Sequence, residues 1–271
     1  MQSTYSISDI VIRSLIAPFR NIKHHVGAQL LILAIVILVF KVSETMGLTL
    51  EILKELREDQ TASETFTLYS SILVRTMVLA LVPSALSGVY LFNQWARLAA
   101  YGVVDASFVN WREAVQALII NLIKFIFITI IYALLMVLII ATFMVFAYLF
   151  YGTTDLSLKL LGYIPLNTIA EISGIIPMCW IYSVFSTSVT ATALQVEKTP
   201  TYYAYVGFFT VVLLVLVILT FIIDEAMSWL EFSWPVLILY TVVSTYFLLV
   251  ISYAHGLRYL MGISHTAGDE A

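Results

Sequence analysis

Long apolar runs separated by short polar intervals recur along the whole chain. Six of them, near 26–43, 70–93, 120–150, 172–195, 202–223 and 234–261, suit membrane-crossing helices. Such a helix needs about 20 mostly apolar residues to span a ~30 Å hydrocarbon core at about 1.5 Å per residue. The pattern predicts six spans. If the third is helical from Asn110 to Tyr151, it is about 60 Å long by the same rise, so its first turns lie on the membrane surface or project from it.

The odd spans carry helix-start signals. Ser6 with Asp9, and Asn110 with Glu113, have the spacing of capping boxes, in which side chains satisfy free first-turn amides. Thr199 followed by Pro200 is the N-cap and N1-proline version of the same device. In the first two units an amphipathic segment follows, with Ile7, Ile10, Val11, Leu15 and Phe19 on one face of the first, and Trp111, Val115, Leu118 and Leu122 on one face of the second. The architecture expected is an all-α polytopic membrane helical bundle. Its six transmembrane helices form three hairpins that enter from the cytoplasm, with cytoplasmic interfacial amphipathic helices. It is one integral membrane domain: an interfacial segment over 1–25, a six-span bundle over 26–262 and a short cytoplasmic tail over 263–271.

Small and hydroxylated residues crowd the even spans: Ser84, Ser87 and Gly88, then Gly174, Ser183, Ser186 and Thr190, then Thr241, Ser252 and Gly256. Small side chains let membrane helices approach closely, and hydroxyls bond across them. Spans two, four and six are therefore expected at the centre, with the Leu, Ile, Val and Phe-rich odd spans toward lipid. Pro83 and Pro177 each remove a backbone donor and are expected to kink spans two and four.

Composition agrees with a membrane setting. The 271 residues are 61% hydrophobic and 11% charged, with mean hydropathy +0.99, far from the roughly 25% charged usage of soluble domains. The net charge of -4 supplies no basic face for a nucleic acid. The single cysteine, Cys179, has no partner for an internal disulfide or a thiolate metal site. The first apolar run begins too late for a signal peptide and no small-residue cleavage site follows it, so it reads as an uncleaved span.

Basic residues orient the bundle, because cytoplasmic loops carry an excess of Lys and Arg. With the N-terminus inside, Arg13, Arg20, Lys23, Arg97, Arg112, Lys124, Lys198 and Arg258 fall on the inner side, against Lys41, Lys54, Arg57 and Lys159 outside. Both termini are thus expected in the cytoplasm, with an acidic outer face. Trp and Tyr prefer the headgroup level; Tyr148, Tyr151, Trp229 and Trp234 would mark the outer interface, and Trp95, Tyr101, Trp111 and Tyr259 the inner one.

The two starts SISDIVIRSLIAPFRNIK and NWREAVQALIINLIK, together with six spans in three hairpins, resemble a loose group of bacterial and archaeal membrane proteins. That group includes the membrane domain of glycerophosphoryl diester phosphodiesterases and the Yip1-like proteins. The resemblance implies a membrane accessory or lipid-organising role, with no catalytic motif to carry over.

Few residues suggest chemistry. No metal-ligand spacing is present, and no cofactor is expected. Ser87 and His255 would lie at different depths, which argues against an intramembrane hydrolase, and no enzymatic activity is expected. His24 and His25 read as interfacial. Ionisable residues within spans are costly and often functional. Lys124, near the inner end of span three, can snorkel to the headgroups. Arg75 lies about five residues from the outer end of span two, some 7 Å at helical rise, where it either snorkels or pairs at the rim with Glu171 of span four. Arg13, Arg20, Lys23, Trp111 and Arg112 are the candidate interfacial lipid contacts.

The function expected is therefore that of a non-enzymatic multi-pass protein of the cytoplasmic (inner) membrane that organises lipid or a partner protein complex. Its partners would be membrane lipids, another membrane protein or a second copy of the chain. The alternative is a small-solute transporter or channel with a path between spans two, four and six, entered past Arg75 and Glu171.

Overall fold

The computed structural model describes residues 6–45, 47, 63–105, 110–153, 159–160, 164–196, 206–230 and 233–269. Among the described residues the protein folds into seven helices. They are α1 (Ile7–Arg20), α2 (Ile22–Thr45), α3 (Ser63–Asp105), α4 (Trp111–Tyr151), α5 (Leu166–Leu194), α6 (Val206–Ser228) and α7 (Trp234–Asp269). Between α4 and α5 a short antiparallel ladder sets Lys159 opposite Pro165 and Leu160 opposite Ile164.

Four stretches are long and apolar enough to cross a membrane: Trp111–Tyr151, Ile172–Leu194, Val206–Met227 and Trp234–Met261. The chain is a membrane protein. A shorter apolar stretch, Gln29–Val42, lies in α2, and nearly half of the side chains of the second apolar window lie outside the described residues.

Local signals in the sequence account for the helix ends. The Ser6 hydroxyl accepts from the Asp9 N–H at 3.1 Å, and the Asp9 carboxylate accepts from the Ser6 N–H at 3.1 Å, completing a capping box on α1. The Ser6 hydroxyl and N–H hold the Asp9 carboxyl below the usual carboxylate range. Asn110 caps α4 by accepting from the Glu113 N–H at 2.9 Å. That helix then runs unbroken for 41 residues to Gly152, whose φ of 70° closes it on the Tyr148 carbonyl. Within α3 the departure from helical dihedrals falls at Gly102 (φ 78°, ψ -177°), near the helix end, and not at Pro83. Only glycine adopts that region readily. The Thr199–Pro200 signal lies outside the described residues.

The even-span centre expected from composition is present in part: α6, from an odd apolar run expected toward lipid, puts Phe209, Val212 and Leu216 fully inside the core. In its most apolar stretch α5 is 39% buried and α4 only 6%. α3 and α7 make the most extensive contact of the fold, and α5 packs against α4, α6 and α3. The α3–α7 seam depends on small residues: Gly88 faces Leu248, and Gly256 faces the backbone of Ala96 and the side chain of Ala99. Close approach of this kind is what drives helix association where no water is left to expel.

The first segment differs from its expectation. An amphipathic period says that one face is apolar but not whether lipid or protein covers it. Here Ile10, Val11, Ser14, Ala17 and Pro18 are buried, because α1 packs on α7 and α6. The Tyr246 hydroxyl on α7 donates to the Leu15 carbonyl at 2.6 Å, and the Phe19 ring tilts against Tyr246 at 5.5 Å. The other face exposes Ile12, Arg13, Ile16, Phe19 and Arg20. At the far end of α2, Phe40 meets the Trp234 ring edge-on at 4.6 Å, and Lys41 pairs with Glu44 at 2.7 Å.

Two expected outcomes follow from this packing. Gly256→Ala places a methyl against the Ala96 carbonyl and 2.6 Å from Ala99 Cβ, whereas Gly88→Ala meets nothing closer than Leu248 Cδ2 at 3.9 Å. The first should lower thermal stability in detergent by about 1–3 kcal/mol, as overpacking does, and the second should be close to neutral. Ile10 is fully buried, so Ile10→Ala should cost about 2 kcal/mol or more by the cavity it leaves, which a surface-bound helix would not.

Candidate functional site

The C-terminal end of α5 is where the other central helices converge. The last four carbonyls of a helix have no intrahelical donor, and inside an apolar bundle no water replaces one. All four are satisfied here. The Val196 N–H donates to Ala191 O at 3.0 Å and the Gln195 N–H to Thr192 O at 3.3 Å, the two bonds of a Schellman motif. Arg97 of α3 donates to Ala193 O at 3.3 Å, and the Tyr101 hydroxyl to Leu194 O at 3.0 Å. A cation at this position also meets the negative end of the helix dipole.

Further donors reach α5 one to three turns earlier. Asn121 of α4 donates to Val189 O at 3.1 Å and to Asn93 Oδ1 of α3 at 2.6 Å. Lys124 donates to Ser188 O at 2.8 Å and also bonds the Thr192 hydroxyl. Arg258 of α7, fully buried, donates to Ser183 O at 2.6 Å and Ser186 Oγ at 2.8 Å, with its guanidinium 4.7 Å from the Phe209 ring centre. The His255 ring lies between Phe92 at 5.3 Å and Phe209 at 4.8 Å, and its Nδ1 has no hydrogen-bond partner. Helices α3, α4 and α7 are thus pinned to α5 by five polar side chains, Arg97, Tyr101, Asn121, Lys124 and Arg258, whose bonds are strengthened by the low dielectric around them.

Several sequence expectations change. The Lys124 ammonium is turned toward α5, where it bonds the Ser188 carbonyl and the Thr192 hydroxyl. Trp95 and Tyr259 are buried in protein and not at an exposed interface, Trp95 against Tyr253 at 6.4 Å and Tyr259 against Tyr101 at 6.4 Å. Ser87 and His255 are not brought together: α3 and α7 run parallel with Gly88 facing Leu248 and Gly256 facing Ala96. That register leaves Ser87 and His255 about eight residues, or ~12 Å, apart along the seam. The side chains of Arg75, Glu171, His24 and His25 lie outside the described residues. Arg13, Arg20, Lys23, Trp111 and Arg112 are exposed, Trp111 by 71% with the Arg112 guanidinium 5.8 Å from its ring, and they are separate from the inner cluster. Among the described residues no group of three His, Cys, Asp or Glu side chains is placed to hold a metal.

Sequence reasoning missed Asn93 and Asn121 altogether. The signal was available, since an amide inside an apolar run seeks a partner on a neighbouring helix. Beside this cluster, between the first turns of α4 and the last turns of α5, lies a cleft of about 400 Å³ whose lining includes Glu113, Gln116, Lys124, Thr192 and Gln195. No known protein family, curated protein or solved structure matches the chain.

The amide pair gives a sharp expectation. Asn121→Leu leaves the buried Asn93 Oδ1 without this donor, which should cost about 1–3 kcal/mol. Asn93→Leu combined with Asn121→Leu should cost clearly less than the sum of the two single changes, read as melting temperatures in detergent.

Proposed function

We propose that the protein is a non-enzymatic, six-span member of the cytoplasmic membrane, with both termini in the cytoplasm, that organises lipid or a partner protein. The observation that carries this reading is how the buried polar side chains are used. Arg97, Asn121, Lys124 and Arg258 all donate to α5, and Gly256 meets Ala96 without room for a methyl. Side chains that line a path keep their polar atoms for water or solute, and transporter sites are built from broken helices near the midplane. Here the groups join the helices to one another.

The outward surfaces support the same reading. α4 presents an apolar face along nearly its whole length, with Phe127, Ile130, Leu134, Val137 and Leu138 exposed. The exposed face of α1 mixes Ile12 and Ile16 with Arg13 and Arg20, the composition of a helix that enters an anionic headgroup layer. The layout shared with the glycerophosphoryl diester phosphodiesterase membrane domain and the Yip1-like proteins belongs to this proposal.

Deleting residues 1–23 is a poor test, since it removes buried Ile10, Ser14 and Ala17. Reversing the exposed charges with Arg13→Glu, Arg20→Glu and Lys23→Glu leaves that packing in place. The triple variant should keep wild-type helicity and melting while losing anionic lipid or a co-purifying protein in native mass spectrometry. An unchanged profile, together with solute flux into proteoliposomes, would favour the transport alternative.

A further inference from the structure

The cleft between α4 and α5 has features that packing alone does not require. On α4, Glu113, Gln116, Ile120 and Lys124 line it, at spacings that place them on one helical face. Eleven residues separate Glu113 from Lys124, about 16 Å along the axis. On α5, Thr192 and Gln195 face them across the cleft. At about 400 Å³ it falls within the roughly 300–1,000 Å³ of small-molecule sites.

Gln195 is the informative residue. It occupies the C′ position of the Schellman motif with φ of 59°, the left-handed region where glycine is preferred and an ordinary side chain costs about 1–2 kcal/mol. A strained non-glycine residue whose side chain lines a cavity points to a role for that side chain.

The surroundings define the occupant. Outward of Lys124, the exposed residues of α4 are mostly apolar, Ile126, Phe127 and Ile130 with Thr129 among them, and α5 exposes Ile176 and Trp180. The aromatic edge of Phe127 on Phe185 at 5.9 Å lies between the two helices. A ligand with a polar head and an apolar tail fits this change of surface; a soluble ester does not need it. Taking outer-interface Tyr148 as one membrane boundary, Lys124 falls about 36 Å away along α4, close to the opposite headgroup layer.

We propose that this cleft binds the headgroup of an ethanolamine phospholipid of the cytoplasmic leaflet, with the phosphate toward Lys124 and the ammonium toward Glu113. This rests on the lipid-organising reading and specifies its site. One cation and one carboxylate at opposite ends suit a zwitterion. Thr192, Gln116 and Gln195 supply neutral hydrogen bonds to the phosphodiester between them. A choline headgroup has the same charges but no N–H to donate to Glu113. An anionic headgroup meets Glu113 as a like charge.

The test is native mass spectrometry of the full chain in micelles doped with ethanolamine, choline or glycerol phospholipids of equal acyl length. The wild type should retain the ethanolamine lipid about tenfold better than the choline lipid, the difference one charge-assisted hydrogen bond makes. Glu113→Gln should erase that preference without changing the melting temperature. Gln195→Gly should raise the melting temperature, by relieving the left-handed strain, and yet weaken retention. Equal retention of the three lipids by the wild type, or an ethanolamine preference that survives both variants, would overturn the site. The lipid-organising reading would survive that result if lipid still co-purifies, and would fall only with loss of all bound lipid and the appearance of solute flux. Competition by soluble phosphoethanolamine as strong as by the lipid would likewise overturn the lipid assignment.

Discussion

A backbone carbonyl in the last turn of a helix needs a donor, and a helix end surrounded by apolar side chains cannot take one from water. In this fold the constraint is concentrated at the C-terminal end of α5. The helix supplies two donors itself, by folding Gln195 and Val196 back in a Schellman turn, and takes the others from Arg97 and Tyr101 of α3. Asn121, Lys124 and Arg258 repeat the arrangement one to three turns earlier. Because those donors come from α3, α4 and α7, satisfying one helix also sets the positions of three others.

The remaining packing is consistent with that requirement. Side chains as long as arginine reach a carbonyl only when the helices lie close, and the α3–α7 seam is closed by Gly256 against Ala96 and Ala99. Phe92 and Phe209 then fill the space around His255, so the polar layer is walled by aromatic rings. α1 covers the remaining inner surface of α6 and α7 with Ile10 and Val11. What is left for the surroundings is apolar surface on α4, a basic and apolar face on α1, and the polar cleft beside Lys124. The proposed lipid- or protein-organising role uses those surfaces.

Much of the fold could be read from the chain alone where the signal is local. The Ser6–Asp9 and Asn110–Glu113 spacings became caps, the third apolar run became one 41-residue helix, and small residues marked α5 and α7 as buried, while the burial of Phe209, Val212 and Leu216 on α6 had no such signal. The site was less legible because its determinants are not local. Arg97 and Arg258 read only as basic residues that orient the bundle; the nearness of α5 is what turns them into the protein. Lys124 has the same ambiguity. Ile10 lies on an apolar face whichever partner covers it, and the period of the pattern is identical for lipid and for protein. Gln195 carries no signal in the sequence, since its left-handed φ belongs to the turn and not to the residue type.

The central claim is that the polar layer around α5 is a closed joint and not a solvated path, and thiol accessibility tests it most directly. Thr190 is fully buried on α5 within this layer. With Cys179→Ser removing the native thiol, Thr190→Cys should resist a water-soluble maleimide from both sides of the membrane and react only after denaturation. Rapid labelling of the folded protein from either side would contradict the account, because water and solute would then reach the place where the helices are said to be joined.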